Sequence, residues 1–297
     1  MRRAFDVIGT CMRRAFLGLL AILPIASPAS AEPALWVAKS GNATFYLFGT
    51  IHLLKPDADW RAPKIADAFA QSGTLWLEMA EGTQGQIDQS FIWKYGKDPA
   101  HPLYTKLSVP ERQKLRAAAQ KVGIAPVTFD SLRPWLAALT LSKAPLQQAG
   151  YQGEAGVDNQ LLNQAKAANK KVLGFETVEQ QLRFFADLPP EMELALLTQT
   201  IDGIDAATDQ LDQLAGAWLA GDVAALDTML KGADSAVGDK RLRKVLLADR
   251  NAAWAERIAT LAHDGGTHFV AVGAAHLTGT DSLLTLLQRR GFTVARL

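Results

Sequence analysis

Two histidines follow two apolar segments with the same spacing. His52 ends the segment FGTIH (48–52), and His276 ends the segment VGAAH (272–276). In both, a glycine closes a strand-like run, two residues intervene and a histidine follows. Open α/β sheets bind ligands beyond the carboxyl ends of their strands, and glycine there lets a ligand or a backbone approach closely. A lone histidine after a strand is more often structural, but the repeated spacing favours a functional pair.

Two carboxylates occupy similar positions. Glu78 lies near the end of TLWLEM (74–79), and Glu176 follows KVLGF (171–175). Burying an unpaired carboxylate is costly, so Glu78 is expected to have a partner. If the three strands are neighbours, Glu78 faces His52 and His276, which is the chemistry of a divalent metal site or of an acid/base group beside two imidazoles. For Glu176, a structural role at the start of the helix that follows is an equal alternative.

Arg250 opens the motif Arg250-Asn251-x-x-Trp254. On a helix, Arg250 and Trp254 share a face one turn apart. A guanidinium aimed at a carboxylate-rich cleft can pair with Glu78 or Glu176, or stabilise developing oxyanion charge. The alternative is an ordinary solvated arginine. The candidate catalytic residues are therefore His52, Glu78, Glu176, Arg250 and His276, of which His52, Glu78 and His276 are the candidate metal ligands.

The elements that must position these residues are read from periodicity. Aromatic and β-branched runs predict strands, and 3.6-residue apolar spacing predicts helices. The predicted strands are 34–39, 44–51, 74–79, 171–175, 268–273 and 292–297, and the predicted helices are 62–71, 110–122, 157–169 and four or so between 190 and 263, including 209–220, 223–230 and 241–262. We predict one α/β domain over residues 32–297, with a central sheet formed from the N- and C-terminal segments. A helical insertion of roughly residues 80–265, interrupted by the strand near 171–175, separates those segments.

The first 31 residues have the pattern of a signal peptide. Arg13 and Arg14 precede an apolar run of roughly a dozen residues, shorter than the about 20 that a membrane span needs, and Ala29-Ser30-Ala31 fits a cleavage site. Cleavage after Ala31 is predicted, which gives a secreted, periplasmic protein with no stable membrane span. An uncleaved membrane anchor is the alternative.

Charge and cysteine content narrow the class of protein. The chain has 31 basic and 30 acidic residues, and cleavage removes four arginines and one aspartate, so nothing directs the mature protein to nucleic acid. The single cysteine, Cys11, lies in the segment predicted to be removed. The mature protein is then expected to have no disulfide, no thiol nucleophile and no cysteine ligand.

Taken together, these motifs resemble the TraB/GumN family. The resemblance is carried by FGTIH (48–52), LWLEM (75–79), GFET (174–177), RNxxW (250–254) and VGAAHLTG (272–279), and it covers nearly the whole mature chain. That family is similar to the Tiki proteins, which are membrane-anchored metal-dependent proteases acting on Wnt, and more distantly to erythromycin esterases and ChaN-type haem-binding proteins. The resemblance implies an α/β fold in which His52, His276, Glu78 and Arg250 line one cleft.

Two functions remain open at this point. The first is a metal-dependent hydrolase, such as a peptidase, acting on a peptide or small molecule. In it, His52, Glu78 and His276 hold Zn, Mn or Co, Glu176 or Glu78 acts as general base, and Arg250 holds the oxyanion. A variant needs no metal and uses His52 as base on water. The second is a non-catalytic envelope protein that binds a ligand or haem, or an accessory factor in polysaccharide export.

Overall fold

The sheet is built from six strands. The computed structural model describes residues 32–80, 89–232 and 238–297, so the predicted signal peptide lies outside the described residues. The strands are β1 (Leu35–Ser40), β2 (Ala43–Thr50), β3 (Thr74–Met79), β4 (Lys171–Glu176), β5 (Gly266–Gly273) and β6 (Thr293–Arg296). Among the described residues between 80 and 265, β4 is the strand that joins this sheet.

The strand order is β4-β3-β5-β2-β1-β6. The strands β4, β3, β5 and β2 run parallel, whereas β1 is antiparallel to both β2 and β6. β1 and β2 form a hairpin across residues 40–42, which the Ser40-Gly41-Asn42 turn between two apolar runs favours. Because the four parallel strands point the same way, their carboxyl ends share one edge of the sheet, where open α/β sheets bind ligands.

The connections are mostly helical. The helices are α1 (Pro63–Gln71), α2 (Gln89–Phe91), α3 (Val109–Lys121), α4 (Pro134–Gln148), α5 (Val157–Ala167), α6 (Val178–Ala186), α7 (Pro190–Gly203), α8 (Ala207–Leu219), α9 (Val223–Lys231), α10 (Lys240–Arg243), α11 (Asp249–Leu261) and α12 (Leu283–Arg289). Segments of π-helix occupy Ile92–Gly96 and Lys244–Ala248, and 3₁₀-helices occupy Leu103–Lys106, Pro126–Phe129, Ala262–Asp264 and Ala274–Leu277. No helix in the described part of the chain is long and apolar enough to cross a membrane.

Successive side chains of a strand point to opposite faces of the sheet, and in the central strands both sets are apolar. Helices therefore cover both faces. One face packs Phe48 and Phe269 against α1, α5, α8 and α9. The other packs Trp76 and Val270 against α11 and α12. A further apolar cluster lies mainly between α3, α4 and α7.

The α/β class is confirmed, and the structure differs from the sequence predictions in detail. Helix α4 was not predicted; it contains Pro145, and its apolar residues give little amphipathic pattern. The single long helix predicted over 241–262 is α10, the π-helical segment Lys244–Ala248 and α11 in succession. By contrast, the predicted start of α3 agrees with the structure, since Ser108 and Glu111 form a reciprocal capping box there.

Candidate active site

The carboxyl edge of the parallel strands brings the predicted residues together. Glu176 ends β4, Glu78 is the penultimate residue of β3, and His276 follows β5 in a turn of 3₁₀-helix. His52 follows β2 by two residues. The strand order β4-β3-β5-β2 therefore arranges two carboxylates and two imidazoles along one edge of the sheet.

His52 is held by an aspartate that the sequence analysis did not single out. Its Nδ1 lies 2.9 Å from Oδ1 of Asp158, in the first turn of α5. The helix starts against the β2 exit because Val157 N–H donates to the carbonyl oxygen of Ile51 at 3.0 Å. Gly156 makes this approach possible, since a Cβ there would lie 2.2 Å from the carbonyl oxygen of His52.

His276 is held in the same way by an amide. Its Nδ1 lies 2.6 Å from Oδ1 of Asn251, and Nδ2 of Asn251 donates to the carbonyl oxygen of Asp281 at 2.8 Å. The second hydrogen bond fixes the amide with its oxygen toward His276, so Nδ1 of the imidazole carries the proton. The ring also packs on Trp254, with centroids 4.4 Å apart. Nε2 of His276 is therefore left with a lone pair.

Arg250 links the two glutamates. Its Nη2 donates to Glu78 Oε2 at 2.6 Å and to Glu176 Oε2 at 2.8 Å, and its Nε donates to Glu176 Oε1 at 2.9 Å. Its Nη1 donates to the Leu246 carbonyl at 3.0 Å and lies 3.2 Å from Nε2 of His276. All five N–H groups of the guanidinium thus have partners.

Other groups complete the binding of the carboxylates. Gln181 donates to Glu78 Oε2 at 2.9 Å and to Glu176 Oε2 at 3.0 Å. Trp254 Nε1 donates to Glu176 Oε1 at 3.0 Å, and Gly273 N–H donates to Glu78 Oε1 at 2.7 Å. Each buried carboxylate therefore receives several hydrogen bonds, as burial of a charge requires.

The Nε2 atoms of both histidines lie near the same carboxylate oxygen. Nε2 of His52 is 4.0 Å and Nε2 of His276 is 3.7 Å from Oε1 of Glu78. The side chain of His52 is 45% exposed, whereas those of His276 and Glu78 are 4% and 9% exposed. His52 is therefore the member of this trio that a ligand reaches most directly.

Burial and charge separate the two imidazoles. Desolvation alone would lower the pKa of His52, but the charge and hydrogen bond of Asp158, with the charge of Glu78, raise it to about 9. Desolvation lowers the pKa of His276 to about 3, and the positive charges of Arg250 and His52 add to the effect. Near neutral pH, His52 is cationic and His276 is neutral. The neutral state of His276 agrees with the lone pair that its Nε2 presents to Arg250.

Glu78 is kept ionised. Burial opposes this, but positive charge on His276 when protonated, on Arg250 and on His52, together with the N–H of Gly273, holds the pKa of the Glu78 carboxyl well below its usual range. A fixed negative charge thus faces the exposed imidazole of His52.

A cavity of about 490 Å³ opens above these residues. Its polar floor contains His52, Glu78, Gln181, Arg250 and His276. The lining also includes leucine and phenylalanine side chains, which we name the apolar wall: Leu146, Phe184, Phe185, Leu211, Leu214, Leu226, Leu230, Leu246 and Leu247. Glu176 does not line the cavity, because it lies behind Arg250 and Trp254.

Five of the residues gathered here were predicted from the sequence, and three of their partners were not. Asp158 and Asn251 orient the two histidines, and Gln181 joins the two glutamates. No sequence signal marked Asp158, because an acidic residue in the first turn of a helix is ordinary. Asn251 was named only as a member of the motif RNxxW, with no role of its own, and Gln181 was not named, since polar residues in helices are usually solvated.

The fold and site define a class of protein. It is an α/β protein with helices on both faces of its sheet and a cluster of histidine, carboxylate and arginine side chains at the carboxyl edge of the parallel strands. The family model described as the TraB/PrgY/gumN family matches residues 34–296, and the chain belongs to that family.

Relatives span most of the chain. It is 29% identical over 256 residues to the uncharacterized protein YbaP of Escherichia coli strain K12 and 28% identical to YbaP of Shigella flexneri; each match covers 86% of this chain and 92% of the relative. An uncharacterized protein of Treponema pallidum is 24% identical over 277 residues, covering 87% of this chain and 81% of its own. No solved structure is significantly similar to the chain.

Proposed function

We propose that this protein is a hydrolase in which His52 transfers the proton. The observation that carries the proposal is the pairing of His52 Nδ1 with Asp158, which leaves Nε2 directed into the cavity opposite Glu78. A hydrogen-bonded carboxylate fixes the ring and its tautomer, as in the carboxylate–histidine pairs of acid/base catalysis. The half-exposed ring is the group that can reach both a water molecule and a bound substrate.

In this mechanism, Nε2 of His52 takes a proton from the attacking water and returns it to the leaving group. Asp158 stabilises the imidazolium that forms. Glu78 adds a second negative charge to the same ring, and Arg250, Gln181 and Gly273 hold Glu78 in place. Because its five N–H groups are already bonded, Arg250 serves as a positioning residue rather than as the oxyanion donor expected from the sequence.

Metal assistance is the alternative form of the proposal, with Zn, Mn or Co held by His52, Glu78 and His276. The donor types suit such an ion, and both Nδ1 atoms have the oxygen partners that orient metal-ligating histidines. A bound divalent ion would supply Lewis acidity and lower the pKa of a coordinated water toward about 7.

Three observations oppose a resident ion. Tetrahedral bonds of about 2.0–2.1 Å place ligand atoms about 3.3 Å apart, whereas the contacts here are 3.7 and 4.0 Å. Nη1 of Arg250 also donates to Nε2 of His276, the nitrogen that would have to bind the ion. Among the described residues, no group of three His, Cys, Asp or Glu side chains is arranged to hold an ion. The site as it stands does not fit the ion, and no step of the mechanism depends on one.

Hydrolysis of a panel of esters, amides and fluorogenic peptides tests the proposal, with His52→Gln as the key variant. His101 provides the matched control, because its Nδ1 lies 3.0 Å from Asp98 in an equivalent pair on the exposed surface. His52→Gln should lower the rate by about 10²- to 10⁴-fold, and His101→Gln should leave it unchanged. Equal rates for wild type and His52→Gln would disprove the proposed role.

Metal stripping separates the two forms of the mechanism. Because the distances between the candidate ligand atoms are too long for an ion, we expect the rate of hydrolysis to be unchanged after treatment with EDTA. Loss of the rate on stripping, with recovery on addition of Zn, Mn or Co, would establish the metal-assisted form instead.

We also propose that the chain is secreted to the periplasm. The proposal is supported by the arginines, the short apolar run and the Ala29-Ser30-Ala31 site in the first 31 residues. Fractionation of cells that express the full chain, followed by N-terminal sequencing, should recover a periplasmic product beginning at Glu32. A cytoplasmic or membrane-bound product with an intact N-terminus would contradict it.

A further inference from the structure

The apolar wall differs sharply from the floor of the same cavity. Its side chains come from α4, α6, α8, α9 and the π-helical segment Lys244–Ala248, and all of them are leucine or phenylalanine. None of these side chains has a hydrogen-bonding group. Outside the floor, the other polar side chain that lines the cavity is Thr50, whose hydroxyl is buried, so a ligand meets polar atoms mainly at the floor and at the backbone that borders the cavity.

Most polar groups of the floor already have hydrogen-bond partners within the protein. Glu78, Arg250 and Gln181 bond to one another, and His276 is held between Asn251 and Arg250. His52 is the exposed polar side chain of the cluster. A ligand thus needs one polar reacting centre at His52 and an apolar remainder against the wall.

From this division, and resting on the proposed hydrolase function, we infer that the substrate is an ester or amide of an alkyl-chain acid. The acyl chain lies along the apolar wall, and the carbonyl carbon lies beside His52. Water adds its oxygen to that carbon, and the bond to the alcohol or amine breaks. The proton from water passes through His52 to the leaving oxygen or nitrogen. The products are a carboxylic acid and an alcohol or amine.

Other substrate classes fit the wall poorly. An extended peptide would place backbone N–H and C=O groups against leucine, and a sugar would place hydroxyls there. Each such group would lose its hydrogen bonds to water without a replacement. An alkyl chain has no such groups, and every methylene that it buries contributes to binding.

A series of p-nitrophenyl esters with increasing acyl length measures this directly. Each added CH₂ should raise kcat/KM about fourfold until the chain fills the 490 Å³ cavity, after which the value should level off. Peptide and sugar substrates should react more slowly than the long-chain esters. A kcat/KM that does not depend on acyl length, or a preference for peptides or sugars, would overturn the inference while leaving the hydrolase proposal intact.

The variant Leu214→Gln places a polar group in the wall, and Leu284→Gln is its control. Both residues are partly buried helix leucines packed on a core cluster, but Leu284 lies against the opposite face of the sheet. Leu214→Gln should lower kcat/KM for long esters about tenfold more than it lowers kcat/KM for the acetyl ester. Leu284→Gln should leave the acyl-length profile unchanged. Equal effects of the two variants would contradict the placement of the chain.

Binding gives a readout that is independent of catalysis. A fluorescent fatty-acid analogue should bind the wild-type protein, should still bind His52→Gln, should be displaced by decanoate, and should bind Leu214→Gln more weakly. If the analogue binds in this way but no ester is hydrolysed, the proposed function fails and the alkyl-chain site stands as that of a binding protein. If the analogue does not bind, the inference fails whatever the hydrolysis panel shows.

Discussion

His52 and Asp158 are 106 positions apart in the chain, and their side chains meet at 2.9 Å because α5 starts against the backbone that leaves β2. The contact determines the tautomer of the imidazole, raises its pKa and directs Nε2 into the cavity. The chemistry of the exposed histidine therefore depends on how one helix docks onto one strand.

Removing the charge of Asp158 should weaken that control. In Asp158→Asn, the amide can still accept a hydrogen bond from Nδ1, but the negative charge is lost. Replacing the aspartate that orients a catalytic histidine by asparagine costs up to about 10⁴-fold in kcat, and we expect a loss of at least about 10-fold. Asp98→Asn at the exposed His101 pair should have no effect on the rate. An unchanged kcat in Asp158→Asn would mean that Asp158 has no part in catalysis.

Substitution of Gly156 tests the docking itself. A Cβ there would lie 2.2 Å from the carbonyl oxygen of His52, so in Gly156→Ala the start of α5 must move. Overpacking of this kind costs about 1–3 kcal/mol, and both the urea midpoint and the hydrolytic rate should fall. Gly153→Ala is the control, since a Cβ at Gly153 meets nothing within 4 Å. Equal midpoints for the two variants would contradict the close approach.

Arg250 should contribute strongly to stability, because it is the cation that pairs two buried glutamates. In Arg250→Met, Glu78 and Glu176 remain buried without that partner, at a cost of about 3–5 kcal/mol. The double variant Arg250→Met with Glu176→Gln should recover part of this loss, because one buried charge is removed. Equilibrium urea unfolding measures both effects, and Arg290→Met provides a control at a peripheral ion pair. Glu176→Gln alone is measured as well. If the free energies of unfolding lost in Arg250→Met and in Glu176→Gln simply add in the double variant, the glutamate and the arginine are not coupled.

The raised pKa of His52 predicts a titration and a pH dependence. In metal-stripped protein, the imidazole should titrate near pH 9 by NMR, compared with 6.5 for an unperturbed histidine, and at a lower pH in Asp158→Asn. Since the folded pKa lies above the unfolded value, the stability from this shift is fully present below about pH 6.5 and is lost as pH rises through about 9.

The same titration governs the rate. The neutral imidazole acts as the base, so kcat/KM should increase with pH up to about 9. A wild-type resonance that titrates near 6.5, or a rate that is flat from pH 7 to 9, would contradict the electrostatic role of Asp158.

Much of the fold could be predicted from local pattern. The strand TLWLEM was predicted with its bounds, 74–79, and the hairpin of β1 and β2 follows from two short apolar runs around a Ser-Gly-Asn turn. Helix α4 was missed because its leucines and alanines do not repeat on one face, so no period marks it. The π-helical segment Lys244–Ala248 was missed because its apolar spacing differs little from that of an α-helix.

The amino-acid sequence alone determined the strands, the strand-end positions of both histidines and both glutamates, and the position of Arg250 one turn before Trp254. Local periodicity reports these features because burial and backbone conformation depend on near neighbours in the chain. Only the tertiary structure decided that Asp158 and Asn251 orient the imidazoles, that Arg250 is fully bonded and that leucines and phenylalanines from five segments form one apolar wall. Those relationships join residues far apart in sequence, and they depend on strand order and helix docking, which local pattern does not specify.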